Sequence, residues 1–108
     1  MALSMIQFIY KSETVGNLIQ NPEDRSAAVG KLIEQLGGKM IGFYYSFGDY
    51  DGLIIADMPD NISLAATSIV AFAGGGTTKL KTTILLSVNE AMAAMKKAKG
   101  LKLPQPKG

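Results

Sequence analysis

The sequence predicts an α+β domain of the ferredoxin-like class: a βαββαβ antiparallel sheet with helices on one face, plus a C-terminal helix. Two observations carry this. Apolar spacing switches between period 2 and helical period in the order strand, helix, strand, strand, helix, strand. A central stretch, residues 37–60, reads as helix stop, strand, tight turn, strand and helix start. Right-handed crossovers then put both main helices on one face of the sheet, in strand order 4-1-3-2.

The elements follow in turn. Residues 3–10 alternate as a strand, with Ile6, Phe8 and Tyr10 on one face and Met5, Gln7 and Ile9 on the other. Residues 12–20 read as a short irregular helical turn that Gly16 weakens. The first main helix is expected to start at Asn21 as cap, with Pro22 at its first position and Glu23 and Asp24 at its positive end. Val29, Leu32, Ile33 and Leu36 form its buried stripe, and Gly37-Gly38 ends it.

Strands at 39–47 and 50–58 leave only Gly48-Asp49 between them, which predicts a two-residue hairpin with a primed turn. Pro59 stops the third strand, and Asp60 or Asn61 caps the second main helix. Ile62, Ala65, Ala66, Ile69, Phe72 and Ala73 mark its predicted core face. Gly74-Gly75-Gly76 leads into a fourth strand at 77–86. There Leu80, Thr82, Ile84 and Leu86 alternate with Lys79, Lys81, Thr83 and Leu85. Ser87 and Glu90 form a capping box for a last helix carrying Ala91, Met92 and Met95. The domain is expected to span 1–99, with a basic, proline-containing tail at 100–108.

The 108 residues contain neither cysteine nor histidine. That excludes disulfides, thiol nucleophiles, a Ser-His-Asp triad and histidine ligation of zinc or haem. Five lysines and no acid fall in residues 96–108, while the other residues hold six basic and nine acidic groups, a net of −3. An acidic body disfavours nucleic-acid binding. No secretory signal and no apolar run of spanning length is seen. A cytoplasmic protein without nucleic-acid or membrane partners is expected.

The uncovered sheet face is predicted to carry Met5, Gln7, Ile9, Met40, Gly42, Tyr44, Ser46, Leu53, Ile55, Asp57, Lys79, Lys81, Thr83 and Leu85. Its mixed polarity suits a second subunit, so a homo-oligomer, chiefly a dimer, is expected. A small-molecule site between the subunits would use Gln7, Tyr44, Asp57, Lys81 and Thr83. A cofactor-independent oxygenase or isomerase using Tyr44, Asp57 and Lys81 is an alternative, and a purely structural assembly subunit is another. No cofactor is expected. Asp49 and Asp51 are too few oxygens for a metal, since hard cations take six or more. Gly74-Gly75-Gly76-Thr77-Thr78-Lys79 lacks the ending of a phosphate-binding loop and follows a helix, where such a loop precedes one. The methionines read as adaptable core filler.

Four groups of residues, Gly37-Gly38-Lys39, Gly42-Phe43-Tyr44, Gly48-Asp49-Tyr50-Asp51 and Asp57-Met58-Pro59-Asp60, resemble the GYD-domain family. Arg25, Ala28-Val29 and Lys81-Thr82-Thr83 add to the resemblance, which runs over about residues 4–95. It implies a ferredoxin-like subunit related to the dimeric α+β barrels, which pair sheet against sheet. Several members of that wider group are small monooxygenases, decarboxylases or haem-handling proteins. The catalytic histidines used there have no counterpart here, and the GYD proteins themselves imply no particular activity. The residues also have a plain physical reading. Gly48 and Asp49 make the turn, Tyr50 packs across the hairpin end, and Asp51 accepts backbone N–H bonds.

Overall fold

A computed structural model describes residues 2–106; Met1, Lys107 and Gly108, the last two in the basic tail, lie outside the described residues. The elements are β1 (Ala2–Tyr10), α1 (Ser12–Gln20), α2 (Arg25–Gln35), β2 (Lys39–Tyr45), β3 (Gly52–Met58), α3 (Asn61–Ala73), β4 (Thr77–Leu85) and α4 (Val88–Ala98). The four strands form one antiparallel sheet in the order β2-β3-β1-β4. This is the ferredoxin-like arrangement with an added C-terminal helix.

The alternation in β1 and β3 builds the core. Ser4, Ile6 and Phe8 of β1 and Ile54, Ala56 and Met58 of β3 face the helices and are buried, together with Ile33 of α2 and Leu64 of α3. The Ser4 hydroxyl is satisfied by donating to the Ala56 carbonyl. At the end of α2, Gly37 adopts φ 83°. The Gly38 N–H reaches back to the Ile33 carbonyl at 2.9 Å, which closes the helix and turns the chain into β2.

Several sequence expectations need correction. Residues 12–20 form a regular helix, and Asn21 ends it instead of capping the next. The cap of α2 is Asp24, whose carboxylate accepts from the Ser26 N–H and hydroxyl. A carboxylate placed one residue before the helical run outcompetes the earlier Asn–Pro signal. The hairpin is longer than two residues: β2 stops at Tyr45 and β3 begins at Gly52, and the Ser46 N–H donates to the Asp51 carbonyl across the loop. Only Gly48 has positive φ in this loop, so the type I′ turn, which needs two such residues, does not form.

The largest correction concerns α3. Its predicted core face points outward: Ile62 is 83% and Ile69 67% exposed. The inward residues are Leu64 and Thr67. A register shift between Met40 and Gly42 also turns Met40 onto the helix side, opposite Ala56, where it packs on the core. Finally, α4 buries no residue and makes no extended contact with another element, although its Ser87–Glu90 capping box is formed. The radius of gyration is 17.5 Å and the long axis 58 Å. A compact chain of this length would have a radius near ~13 Å, so the molecule is elongated.

Candidate functional site

Positioning begins at the hairpin. Asp51 is a clamp between strands: its N–H donates to the Phe8 carbonyl at 2.9 Å, and its carboxylate accepts from the Tyr10 N–H at 2.8 Å. The Ser46 hydroxyl donates to the Tyr50 carbonyl. The Tyr50 ring sits under the Lys79 ammonium, 5.8 Å from the ring centroid, which links the hairpin end to β4. Gly52 follows directly. A Cβ there would collide with the Phe8 ring and lie 2.8 Å from the Tyr44 carbonyl oxygen. The Gly-Asp-Tyr-Asp-Gly run thus locks the ends of β1 and β3 together and clears a place for Phe8.

Phe8 is the centre of an aromatic cluster. Its ring lies 4.9 Å from Tyr10, 5.6 Å from Phe43 and 6.4 Å from Tyr45, tilted or edge-on, as ring quadrupoles favour. The Tyr10 and Tyr45 hydroxyls are hydrogen-bonded at 3.2 Å.

This cluster floors the main cavity. The helices α2 and α3 diverge, each leaning on its own side of the sheet, and a cleft of about 580 Å³ opens between them. Its floor is apolar, with Ile6, Phe8, Phe43, Ile54 and Leu80. Val29 and Leu32 line the α2 side, and Thr67, Ser68 and Ala71 the α3 side. The rim is polar. Thr14 and Asn17 of α1 close one end, and Arg25 stands at the mouth, paired with Glu23 at 3.0 Å. The loop after α3 is tied to α1: the Gly76 carbonyl accepts from the Lys11 N–H and the Thr14 hydroxyl. The glycine run therefore offers a carbonyl here, not a cradle of N–H groups. Thr77 Oγ1 is buried at the cleft without a hydrogen-bond partner.

Tyr10 holds its proton more tightly than a free tyrosine. Burial is the main cause, and the hydroxyl of Tyr45 adds to it, against a smaller opposing pull from Arg25. Folded Tyr10 stays neutral where an unfolded tyrosine, ionising near pH ~10, releases its proton. Its contribution to stability is complete below that pH and is lost as pH rises above it. Urea unfolding between pH 9 and pH 11 is expected to show falling stability, and Tyr10→Phe should flatten that slope; an unchanged slope would assign it to other groups.

The five residues expected at the site lie on the opposite, uncovered face. Lys81, Gln7, Leu53 and Tyr44 form one row across β4, β1, β3 and β2. Thr83 shares the next row with Met5, Ile55 and Gly42, and Asp57 stands opposite Leu3 and Lys39 in a further one. With strands about 4.8 Å apart, Tyr44 and Lys81 are separated by roughly 14 Å. Asp57 is four residues along β3 from the Tyr44–Lys81 row, or about 13 Å. One chain therefore brings Gln7 beside Lys81 but does not bring Tyr44, Asp57 and Lys81 together. The Tyr44 ring lies flat over Gly42, where any Cβ would strike it. Asp57 Oδ1 is buried without a partner.

The cleft residues Tyr10 and Arg25 were not singled out as site residues from the sequence. The available signals were Tyr10 on the core side of β1 and Arg25 among the family-like positions. Among the described residues, no cluster of three or more acidic groups could hold a metal, and no helix is long and apolar enough to cross a membrane.

The model of the GYD domain matches residues 5–95. The chain belongs to the GYD-domain family. No curated protein matches the sequence. Among solved structures, MtbAldR aligns with a TM-score of 0.56 at 17% identity, over 80% of this chain and 52% of that one. This GYD chain thus corresponds to about half the length of MtbAldR. TTHA0845 from Thermus thermophilus aligns with a TM-score of 0.54 at 18% identity, over 82% of this chain and 96% of that one. An uncharacterized NIPSNAP-like domain protein from Burkholderia xenovorans aligns at 0.48 and 14%, over 97% and 90%. The first two likenesses show a shared fold.

Proposed function

We propose that this GYD-domain protein binds a small molecule in the cleft between α2 and α3. The carrying observation is the cleft itself: an apolar, aromatic floor under a rim with few polar groups, at a volume usual for ligand sites of about 300–1,000 Å³. The chemistry favours a ligand with an apolar body and one anionic end. The body lies on Phe8, Phe43 and Leu80, and the anionic end exchanges with Glu23 for the Arg25 guanidinium.

The test uses 1-anilinonaphthalene-8-sulfonate, which has that shape and charge, read by fluorescence and calorimetry. Ala71→Trp fills the cleft from α3 and is expected to abolish binding; Arg25→Met is expected to weaken it about tenfold or more, the worth of a charge-assisted hydrogen bond. Binding that survives Ala71→Trp unchanged would sink the proposal.

A second reading rests on the uncovered sheet face. We infer self-association through this face, where Leu3, Met5, Tyr44, Leu53, Ile55 and Leu85 share the surface with Gln7, Lys81 and Thr83, and Leu3 and Tyr44 are exposed. A second copy would cover these apolar side chains and pair the polar ones with its own. Ile55→Asp is expected to lower the assembly mass seen by native mass spectrometry, and an unchanged mass would remove this reading.

A further inference from the structure

We propose that α4 is an exchange arm: its apolar stripe, Val88, Ala91, Met92 and Met95, docks on the outward stripe of α3 in a second copy of this chain. The inference is independent of the cleft.

It starts from α3. The thirteen residues Asn61–Ala73 contain no charge, and their polar side chains are Asn61, Ser63, Thr67 and Ser68. The inward side holds Leu64 and Thr67, while Ile62, Ala66, Ile69 and Ala73 point out, flanked by Ala65, Val70 and Phe72. The outward stripe is the more apolar of the two. An exposed apolar stripe of this kind is more stable covered than left in water. Beside it runs a shallow groove between α3 and β4, lined by Ile69, Phe72, Ala73 and Leu80 together with Ser68, Thr78 and Lys79.

The complementary surface is on the same chain. Val88, Ala91, Met92 and Met95 recur at i, i+3, i+4 and i+7 on α4, and Met95 is 68% exposed. The helix is well capped, so it is formed without a partner, yet it buries no residue and makes no extended contact with another element. Long flexible methionines suit a groove bordered by alanines, because they fill irregular space at little strain. Neither stripe carries a charge, and Lys79 at the groove is exposed, with its ammonium over the Tyr50 ring. Lys97 lies on the opposite side of α4 and stays in water.

The occupant is a second copy and not the same chain. Only residues 86 and 87 join β4 to α4, and α4 makes no extended contact with its own α3. A two-fold axis makes the contact twice, as needed to approach the ~1,200 Å² of a stable interface. The outward stripe of α3 and the uncovered sheet face are on opposite sides of the layer. Both contacts together therefore build an assembly larger than a dimer.

The chain has no cysteine, so single thiols report contacts cleanly. Ile69→Cys and Met92→Cys sit mid-stripe and meet in either helix orientation. The two variants are mixed, incubated to exchange subunits and treated with a short bismaleimide. A covalent dimer that forms only in the mixture is the expected result. No product, or equal product from either variant alone, would overturn the proposal, as would linkage within one chain of the double variant. Native mass spectrometry separates this contact from the sheet-face one. Met92→Asp/Met95→Asp alters no buried residue and should reduce the copy number while circular dichroism stays unchanged. If Ile55→Asp alone leaves only 11.5 kDa monomers, the arm does not hold copies together and the proposal fails.

Discussion

Phe8→Ala is expected to lower the unfolding free energy by about 3–5 kcal/mol, the cost of truncating a buried aromatic ring. Phe8 is 3% exposed and touches the rings of Tyr10, Phe43 and Tyr45. Three losses add up. The ring leaves its dry environment, its edge-to-face partners lose about 0.5–1.5 kcal/mol per pair, and the cleft below the helices deepens into a void. Domains are stable by only about 5–15 kcal/mol in total, so the variant is expected to sit near the edge of folding. Urea denaturation followed by far-ultraviolet circular dichroism gives the number. Phe8→Leu keeps most of the volume and should cost less than half as much. A loss below about 1 kcal/mol for Phe8→Ala would mean that the site collapses freely, as a loosely packed core does, and the cleft would then have no fixed floor.

How far the sequence discloses this molecule depends on which interaction decides each feature. The alternation of Ser4, Ile6 and Phe8 with Met5, Gln7 and Ile9 is local, and the sheet confirms its faces in register. The capping box at Ser87 and the stop at Gly37 are likewise local chemistry, and both form as read. The failures are non-local. Periodicity in α3 finds two stripes, but which one meets the sheet is set by the crossover from Met58 and by the small contact that Leu64, Thr67 and Ser68 make with β3 and β4. Hydrophobicity alone ranked Ile62 and Ile69 first, and the structure points them outward. Met40 changed faces because one bulge inserts a residue, a step that alternation cannot foresee. The cleft was invisible for a similar reason. It is the space left between two helices that lean on opposite edges of the sheet, and no residue pattern encodes a gap. What the sequence did show was the uncovered face, whose residues fall in the rows expected of them apart from Met40 and from Ser46, which lies in the hairpin loop beyond β2.

Gly52→Ala is the second large effect, with an expected loss of about 1–3 kcal/mol from overpacking. The added methyl meets the Phe8 ring on one side and the Tyr44 carbonyl oxygen, at 2.8 Å, on the other. The ring can move only by displacing Tyr10 and Phe43 or by rising into the cleft it floors, and the carbonyl is part of the β2–β3 ladder. Neither neighbour is a free chain end, so the backbone must shift where Asp51 clamps β1 to β3. A second substitution isolates the cause. If the clash with the Phe8 ring is the main cost, Gly52→Ala should be much milder in the Phe8→Leu background, with a coupling of about 1 kcal/mol or more between the two sites. Strict additivity would instead place the cost in the ladder carbonyl. The two outcomes give the Gly-Asp-Tyr-Asp-Gly run different meanings. Coupling makes it the seat of the aromatic floor, so that changes in the hairpin would reach the ligand cleft through Phe8. Additivity makes it a strand clamp whose effects stop at the sheet edge. The ring's position, directly beneath both Gly52 and the cleft, favours coupling, and the same double variant should then also weaken anilinonaphthalene sulfonate binding less than Gly52→Ala alone.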